Sequence, residues 1–159
     1  KNDDLILIDS APSLNDESVS TVLASDELFV VSTPDYPTLS MTIKAIRIAK
    51  KHGAKISGII LNKVYGKDFE IPSLDVERTA EVPIMAVIPY DTDFLRAVHS
   101  FSSFFEYSPN SVGGREYRKL AGVLAGEKGN RIVSLMQLFA TFPRLQDVNR
   151  EIYYERVFR

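Results

Sequence analysis

Short apolar runs alternate with amphipathic stretches along most of the chain. Each apolar run ends in small or polar residues, which is the pattern of a strand buried on both faces of a parallel sheet. The predicted strands cover residues 5–8, 28–31, 56–61 and 82–88. Apolar residues at helical spacing predict helices over residues 15–24, from a cap at Thr38 or Ser40 to Lys51, and over residues 73–80, 91–98 and 116–124.

Strands and helices that alternate in this way form βαβ units with right-handed crossovers. The predicted fold class is therefore α/β, with three layers (α/β/α) in which a mostly parallel sheet lies between two layers of helices. We assign residues 1–126 to this domain. The pattern changes at residues 126–130, and residues 127–159 are predicted to form a helical tail that is interrupted at Pro143.

The composition narrows the classes of protein. The chain has 159 residues, of which 45% are hydrophobic, and a formal net charge of −2, which fits one globular domain better than a general nucleic-acid binder. It has no cysteine, so disulfides, thiolate catalysis and cysteine-bound metal centres are excluded within it. No run approaches the roughly 20 apolar residues of a membrane span. We expect a cytoplasmic protein without sequence-specific nucleic-acid binding.

Two polar residues directly follow predicted strands, namely Asp9 and Asn62. Open α/β sheets bind ligands at the carboxyl ends of their strands, so both residues are candidate ligand contacts. For Asp9 the alternative is that it only begins the turn that follows. For Asn62, whose side chain offers both a donor and an acceptor, the alternative is an Asx turn that caps the strand.

Three separated motifs together resemble one family. Residues 5–14 (LILIDSAPSL) resemble the Walker B and switch II segment of the MinD/ParA group of deviant Walker A ATPases, and residues 61–64 (LNKV) resemble its adenine-contacting motif. Residues 87–91 (VIPYD) resemble its later adenine-side loop, and residues 111–124 are similar to the last helix of the family core. The resemblance covers residues 4–126 and leaves the MinD and ParA subfamilies open.

The resemblance implies a set of ligands and roles. ATP or ADP with Mg2+ are the implied cofactors, and Asp9 is the implied carboxylate on the magnesium side. Asn62 is the implied contact to adenine, and Pro89 and Asp91 are the implied residues of the adenine-side loop. Asp91 has an equal alternative as the N-cap of the following helix.

One element of the family is missing from the sequence. Phosphate binding requires a glycine-rich loop that opens a helix and carries a lysine and a Ser or Thr. The pair Gly113 and Gly114 is followed by Arg115 and Glu116 and lies in the wrong part of the chain. We therefore expect the carboxyl-terminal half of such an ATPase, either as a fragment or as a protein without the loop, inactive and weak in nucleotide binding by itself.

Two functions follow from this prediction. The first is an ATP-dependent, homodimeric protein of the MinD/ParA type that positions division, partition or similar machinery with an unknown protein partner. The second is a degenerate relative that serves as a non-enzymatic interaction module. The iron–sulfur carriers of the family are disfavoured because they need cysteines.

The tail has an apolar stripe over residues 131–142. Its members are Ile132, Val133, Leu135, Met136, Leu138 and Phe139. A helix that docks on a membrane surface usually carries several basic residues, and there is none between Arg131 and Arg144. We therefore favour packing or self-association of this stripe over membrane docking.

Overall fold

The computed structural model describes residues 5–10 and 16–125. Within these residues, three parallel strands form one sheet in chain order: β1 (Leu28–Ser32), β2 (Ile56–Val64) and β3 (Ile84–Pro89). The helices are α1 (Asp16–Ala24), α2 (Tyr36–Lys51), α3 (Ser73–Ala80), α4 (Asp93–His99), α5 (Phe104–Tyr107) and α6 (Val112–Leu124). The predicted α/β class with a parallel sheet is confirmed.

Helices cover both faces of the sheet. On one face, α2 and α3 pack against the strands around a core of Leu39, Ile46, Ile59, Leu61, Ile71, Val76, Ala80, Val82, Ile84 and Val87. On the other face, Leu120 of α6 closes a smaller core with Ile60, Met85, Ala86 and Ile88. Consecutive strand residues point to opposite faces, so the continuous apolar run of β2 serves both cores.

Helix α2 begins earlier than the sequence pattern predicts. Its N-cap is Asp35, whose Oδ1 accepts the N–H of Thr38 at 2.9 Å. Pro37 lies in the first turn, where its missing N–H leaves no hydrogen bond unmade. The predicted cap at Thr38 or Ser40 is therefore wrong, because an aspartate three residues before the amide of Thr38 supplies the cap.

Helix α4 ends in a Schellman motif with an unusual residue. The N–H of Phe101 donates to the carbonyl of Val98 at 3.1 Å, and the N–H of Ser102 donates to the carbonyl of Ala97 at 3.1 Å. Phe101 has φ = +52° and its side chain is 100% exposed. Glycine usually fills this left-handed position because any side chain there is sterically strained.

The predicted first strand is not a strand of the sheet. Residues 5–10 form no regular element, and none of them pairs with β1, β2 or β3. Leu5, Ile6, Leu7 and Ile8 are 60%, 80%, 73% and 51% exposed. A run of this kind is buried only when strands pair with it on either side and helices cover it. The strands that the structure describes provide no such neighbours.

Other boundaries shift by a few residues. Strand β2 continues through Asn62 to Val64, β3 begins at Ile84, and α6 begins at Val112. The short helix α5 is not predicted from the sequence. The domain boundary at residue 126 and the predicted helical tail over residues 127–159 lie outside the described residues. Within the described residues, no helix has the length and apolar character that crossing a membrane requires.

Candidate functional site

The end of β2 bulges where Asn62 lies. Leu61 pairs with Val87 and Val64 pairs with Pro89, so β2 has one residue more than β3 over this interval. Lys63 takes up the extra length with φ = +55°. The Oδ1 of Asn62 accepts the N–H of Lys63 at 2.9 Å, which fixes the side chain. Bulges of this kind re-aim side chains at the edge of a sheet.

The bulge brings the predicted adenine-side residues to one edge. The N–H of Tyr90 donates to the carbonyl of Val64 at 2.8 Å, directly after the pair of Val64 and Pro89. Asn62 therefore lies at the same carboxyl edge as the loop formed by Pro89, Tyr90 and Asp91. This edge is where open parallel sheets bind ligands.

Asp91 acts as a connector between two helices. Its Oδ1 accepts the N–H of Asp93 at 3.0 Å at the start of α4, and its Oδ2 accepts the N–H of Gly113 at 3.1 Å at the start of α6. Partial burial raises the pKa of Asp91, but hydrogen bonds from Asp93, Ser111 and Gly113, together with the charge of Arg96, outweigh it and lower the pKa overall. Both carboxylate oxygens are thus engaged in holding the loop.

The glycine pair of α6 has a packing role that sequence reasoning missed. A Cβ on Gly113 would lie 3.1 Å from Cε2 of Phe94 and 3.2 Å from Oδ2 of Asp91. The Oγ of Ser111 accepts the N–H of Gly114 at 3.0 Å and caps the helix. A serine directly before an amphipathic stretch is an N-cap signal, so Ser111 could have predicted this start. Because these amides already have partners, the pair is not a phosphate-binding loop.

Aromatic rings line the same edge of the sheet. The rings of Tyr65 and Tyr90 stack with centroids 4.5 Å apart and planes at 20°. Phe69 lies against Tyr65, with centroids 6.1 Å apart and planes at 55°. The sequence motif VIPYD contains Tyr90, but the sequence did not indicate that Tyr65, Tyr90 and Phe69 contact one another, because aromatic residues outside regular elements show no periodicity.

The loop that carries Tyr65 is tied together by one carboxylate. Glu70 accepts the N–H of Tyr65 at 2.8 Å, that of Gly66 at 2.7 Å and that of Lys67 at 3.1 Å. Gly66 has φ = +68°, which allows the three amides to converge. At the far end of the loop, the N–H of Ile71 donates to the carbonyl of Pro34, after β1, at 2.9 Å. The loop is thus anchored at both ends.

The structure does not bring Asp9 into this arrangement. Asp9 is exposed and follows residues that are outside the sheet. Among residues 5–10 and 16–125, no three His, Cys, Asp or Glu side chains cluster as a metal site would require. The assignment of Asp9 to the magnesium side therefore stays a prediction.

No model of a known protein family matches the chain. Among curated proteins, an uncharacterized ATP-binding protein of Methanocaldococcus jannaschii is 29% identical over 124 residues, which are 77% of this chain and 47% of that protein. A cytosolic Fe–S cluster assembly factor homolog of Brugia malayi is 27% identical over 143 residues, covering 77% of this chain and 45% of that protein. The chain spans about half the length of the curated relatives it matches.

Solved structures of MinD and ParA ATPases are similar to this chain. The septum site-determining protein MinD of Pyrococcus horikoshii, complexed with Mg-ADP, has a TM-score of 0.61 and 27% identity over 82% of this chain and 50% of that one. The cell division ATPase MinD of Pyrococcus furiosus has a TM-score of 0.60 and 31% identity, over 72% of this chain and 47% of that one. A ParA family ATPase of Chlorobium tepidum has a TM-score of 0.57 and 26% identity, over 65% of this chain and 43% of that one. In both sequence and fold, the chain is therefore similar to the MinD/ParA ATPases.

Proposed function

We propose that the carboxyl edge of the sheet is the base-binding side of an ATP or ADP site, and that the whole protein is a MinD/ParA-type ATPase. The observation that carries the proposal is the bulge at Asn62, which lies opposite the loop of Pro89 and Asp91. The solved relative from Pyrococcus horikoshii is a complex with Mg-ADP, which supports the same ligand class here.

The chemistry of Asn62 suits an adenine edge. A carboxamide offers two donor hydrogens and an acceptor oxygen with two lone pairs, and adenine presents a donor beside an acceptor. One lone pair of Oδ1 meets the N–H of Lys63, which orients the amide before a base binds. Asp91 contributes by holding the loop, since its own oxygens bind Asp93 and Gly113.

The phosphate side of the site requires more than these residues. The sequence holds no glycine-rich loop with a lysine and a terminal Ser or Thr. In the complete site Asp9 would serve as the magnesium-side carboxylate, and the metal would neutralise phosphate charge. ATP-dependent homodimerisation, and positioning of division or partition machinery, belong to the same proposal.

A titration of the 15N-labelled chain with Mg-ADP tests the base-binding proposal. NMR detects millimolar binding, which is the range expected when phosphate contacts are few. We expect Mg-ADP to shift the side-chain amide signal of Asn62 and the backbone signals of neighbouring residues. In Asn62→Ala, Mg-ADP should no longer shift the signals of those neighbours. Asn110→Ala, which changes an exposed asparagine in the turn before α6, is the control.

Two outcomes would contradict the proposal. One is that Mg-ADP shifts no signal of residues 61–65 or 89–91. The other is that Asn62→Ala, with an otherwise unchanged spectrum, binds Mg-ADP as the unaltered chain does. A parallel phosphate-release assay should show no turnover by this chain alone, and turnover abolished by Asp9→Ala would overturn that expectation.

A further inference from the structure

We propose that Tyr65, Tyr90 and Phe69 form a stacking surface for the nucleotide base, and that Glu70 positions it. We call these three rings the aromatic wall. The inference rests on the proposed nucleotide-binding function. It adds Tyr65, Phe69 and Glu70, which lie outside the motifs of the resemblance, and gives a role to Tyr90, which lies within the VIPYD motif.

The aromatic wall lies where the two loops of the proposed base site meet. Tyr90 lies between Pro89 and Asp91, and Tyr65 follows the bulge that begins at Asn62. The stack of Tyr65 on Tyr90 therefore joins the two loops that the proposed base site requires. In this proposal, the edge of the base meets Asn62 and its face lies against the rings.

Two residues of the aromatic wall are exposed to solvent. Tyr65 is 51% exposed and Phe69 is 71% exposed, although both are large and apolar. Ring surface that stays in water after folding is available for a planar ligand. Stacking on aromatic side chains is a common way to bind bases because every base has a π face.

Backbone hydrogen bonds hold the aromatic wall in place before a ligand binds. Glu70 binds three consecutive backbone N–H groups, including that of Tyr65, and the N–H of Tyr90 is bound to Val64. Both stacked rings thus come from backbone that is already fixed. A preorganised surface loses little conformational entropy on binding.

The protonation state of Tyr65 is compatible with this role. Desolvation, followed by the neighbouring Tyr90 and the charge of Glu70, raises the pKa of the Tyr65 phenol. The ring therefore remains neutral across the physiological pH range and does not repel the phosphates of a nucleotide.

NMR titrations of four chains with ADP test the aromatic wall. In the unaltered chain we expect ring-current shifts of the Tyr65 and Tyr90 ring protons. Tyr65→Ala should weaken ADP binding about tenfold, whereas Tyr65→Phe should keep it within about twofold, because stacking needs the ring and not the hydroxyl. Tyr107→Ala, which removes an exposed tyrosine outside the wall, should leave binding unchanged.

The positioning role of Glu70 has its own readout. Glu70→Ala should weaken ADP binding and reduce the ring-current shift at Tyr65, and Glu70→Gln should restore part of both, since its amide oxygen can still accept N–H groups. Equal ring-current shifts in Glu70→Ala and the unaltered chain would overturn this role.

The possible failures are separable. If ADP shifts the Asn62 amide but Tyr65→Ala binds ADP as tightly as the unaltered chain, the aromatic wall is wrong and the proposed function stands. If ADP shifts neither Asn62 nor the rings, both are overturned. CDP should bind more weakly than ADP, because a pyrimidine has less ring area to stack.

Discussion

At the scale of single residues, Asp91 shows how one carboxylate can join the starts of two helices. Its two oxygens bind the first turns of α4 and α6, so the loop of Pro89 and Tyr90 is fixed from behind. The family resemblance assigned Asp91 to the nucleotide, and residue-level reasoning offered the alternative of a cap. The N-cap position of α4 is Thr92, and Asp91 directly before it accepts the N–H of Asp93 in α4 and that of Gly113 in α6.

The lowered pKa of Asp91 predicts an acid-dependent stability. Because the folded-state pKa lies below the unfolded value of about 3.9, the contribution of this carboxylate is present above that value and is lost as the pH falls through the folded-state pKa. Urea unfolding between pH 5 and pH 2 should show a smaller loss of free energy of unfolding in Asp91→Asn than in the unaltered chain. Equal pH slopes would contradict the prediction.

The strained Phe101 predicts an unusual gain. Phe101→Gly should raise the free energy of unfolding by about 0.5–1 kcal/mol, because glycine adopts positive φ without a Cβ penalty and no packing is lost from a fully exposed ring. Urea denaturation checks the value. The opposite change is Gly53→Ala, because Gly53 has φ = +79° at the end of α2. This variant should have a lower free energy of unfolding. A loss of stability in Phe101→Gly would contradict the argument.

At the scale of elements, the start of α6 depends on a close approach. Gly113→Ala would bring a methyl group within 3.1 Å of Phe94 and 3.2 Å of Asp91, so it should cost about 1–3 kcal/mol of unfolding free energy. Phe94→Leu removes the ring atoms that the methyl group meets. In a double-mutant cycle, the pair should therefore cost less than the sum of the single changes.

An additive cycle would show that the ring of Phe94 is not what excludes the methyl group. Because Phe94 also stacks on Phe104 with centroids 3.5 Å apart, the single change Phe94→Leu has a cost of its own. The double-mutant cycle subtracts that cost. The coupling free energy between positions 94 and 113 therefore shows whether the ring of Phe94 excludes the methyl group.

The elements also show how far the sequence predicts the fold. Helix α3 agrees with its prediction over residues 73–80, and α2, β1 and β2 agree at most of their positions, because apolar periodicity reports a buried face. Asp35 as a cap, the short helix α5 and the bulge at Lys63 were not predictable from periodicity, since each depends on local hydrogen bonds. For the candidate site, the motifs indicated Asn62 and the loop of Asp91, but not the contacts of Glu70 or the stacked tyrosines.

At the scale of the whole molecule, the prediction for residues 5–8 was wrong for a general reason. An apolar run shows that burial is favourable, but it does not supply the surfaces that bury it. In this structure the run stays in water, and Val31 of β1 is also largely exposed. The fold therefore carries apolar surface at residues 5–8 and on β1.

This surface predicts self-association at high concentration. Ile6→Ser should lower the average mass measured by static light scattering while leaving the free energy of unfolding within about 0.5 kcal/mol. Ile59→Ala is the buried counterpart and should cost about 2–5 kcal/mol of that free energy. An unchanged scattering mass in Ile6→Ser would assign association to another surface.

The chain-order arrangement of the strands has a consequence for folding kinetics. Each strand pairs with its neighbour along the chain through one helical crossover, so the sheet can grow in the order of synthesis without a long loop closing first. Strands β2 and β3 are mostly buried, whereas β1 is only partly buried. We expect the unit β2–α3–β3 to form in the transition state, so that Val87→Ala mainly slows folding and Val30→Ala mainly accelerates unfolding in stopped-flow measurements.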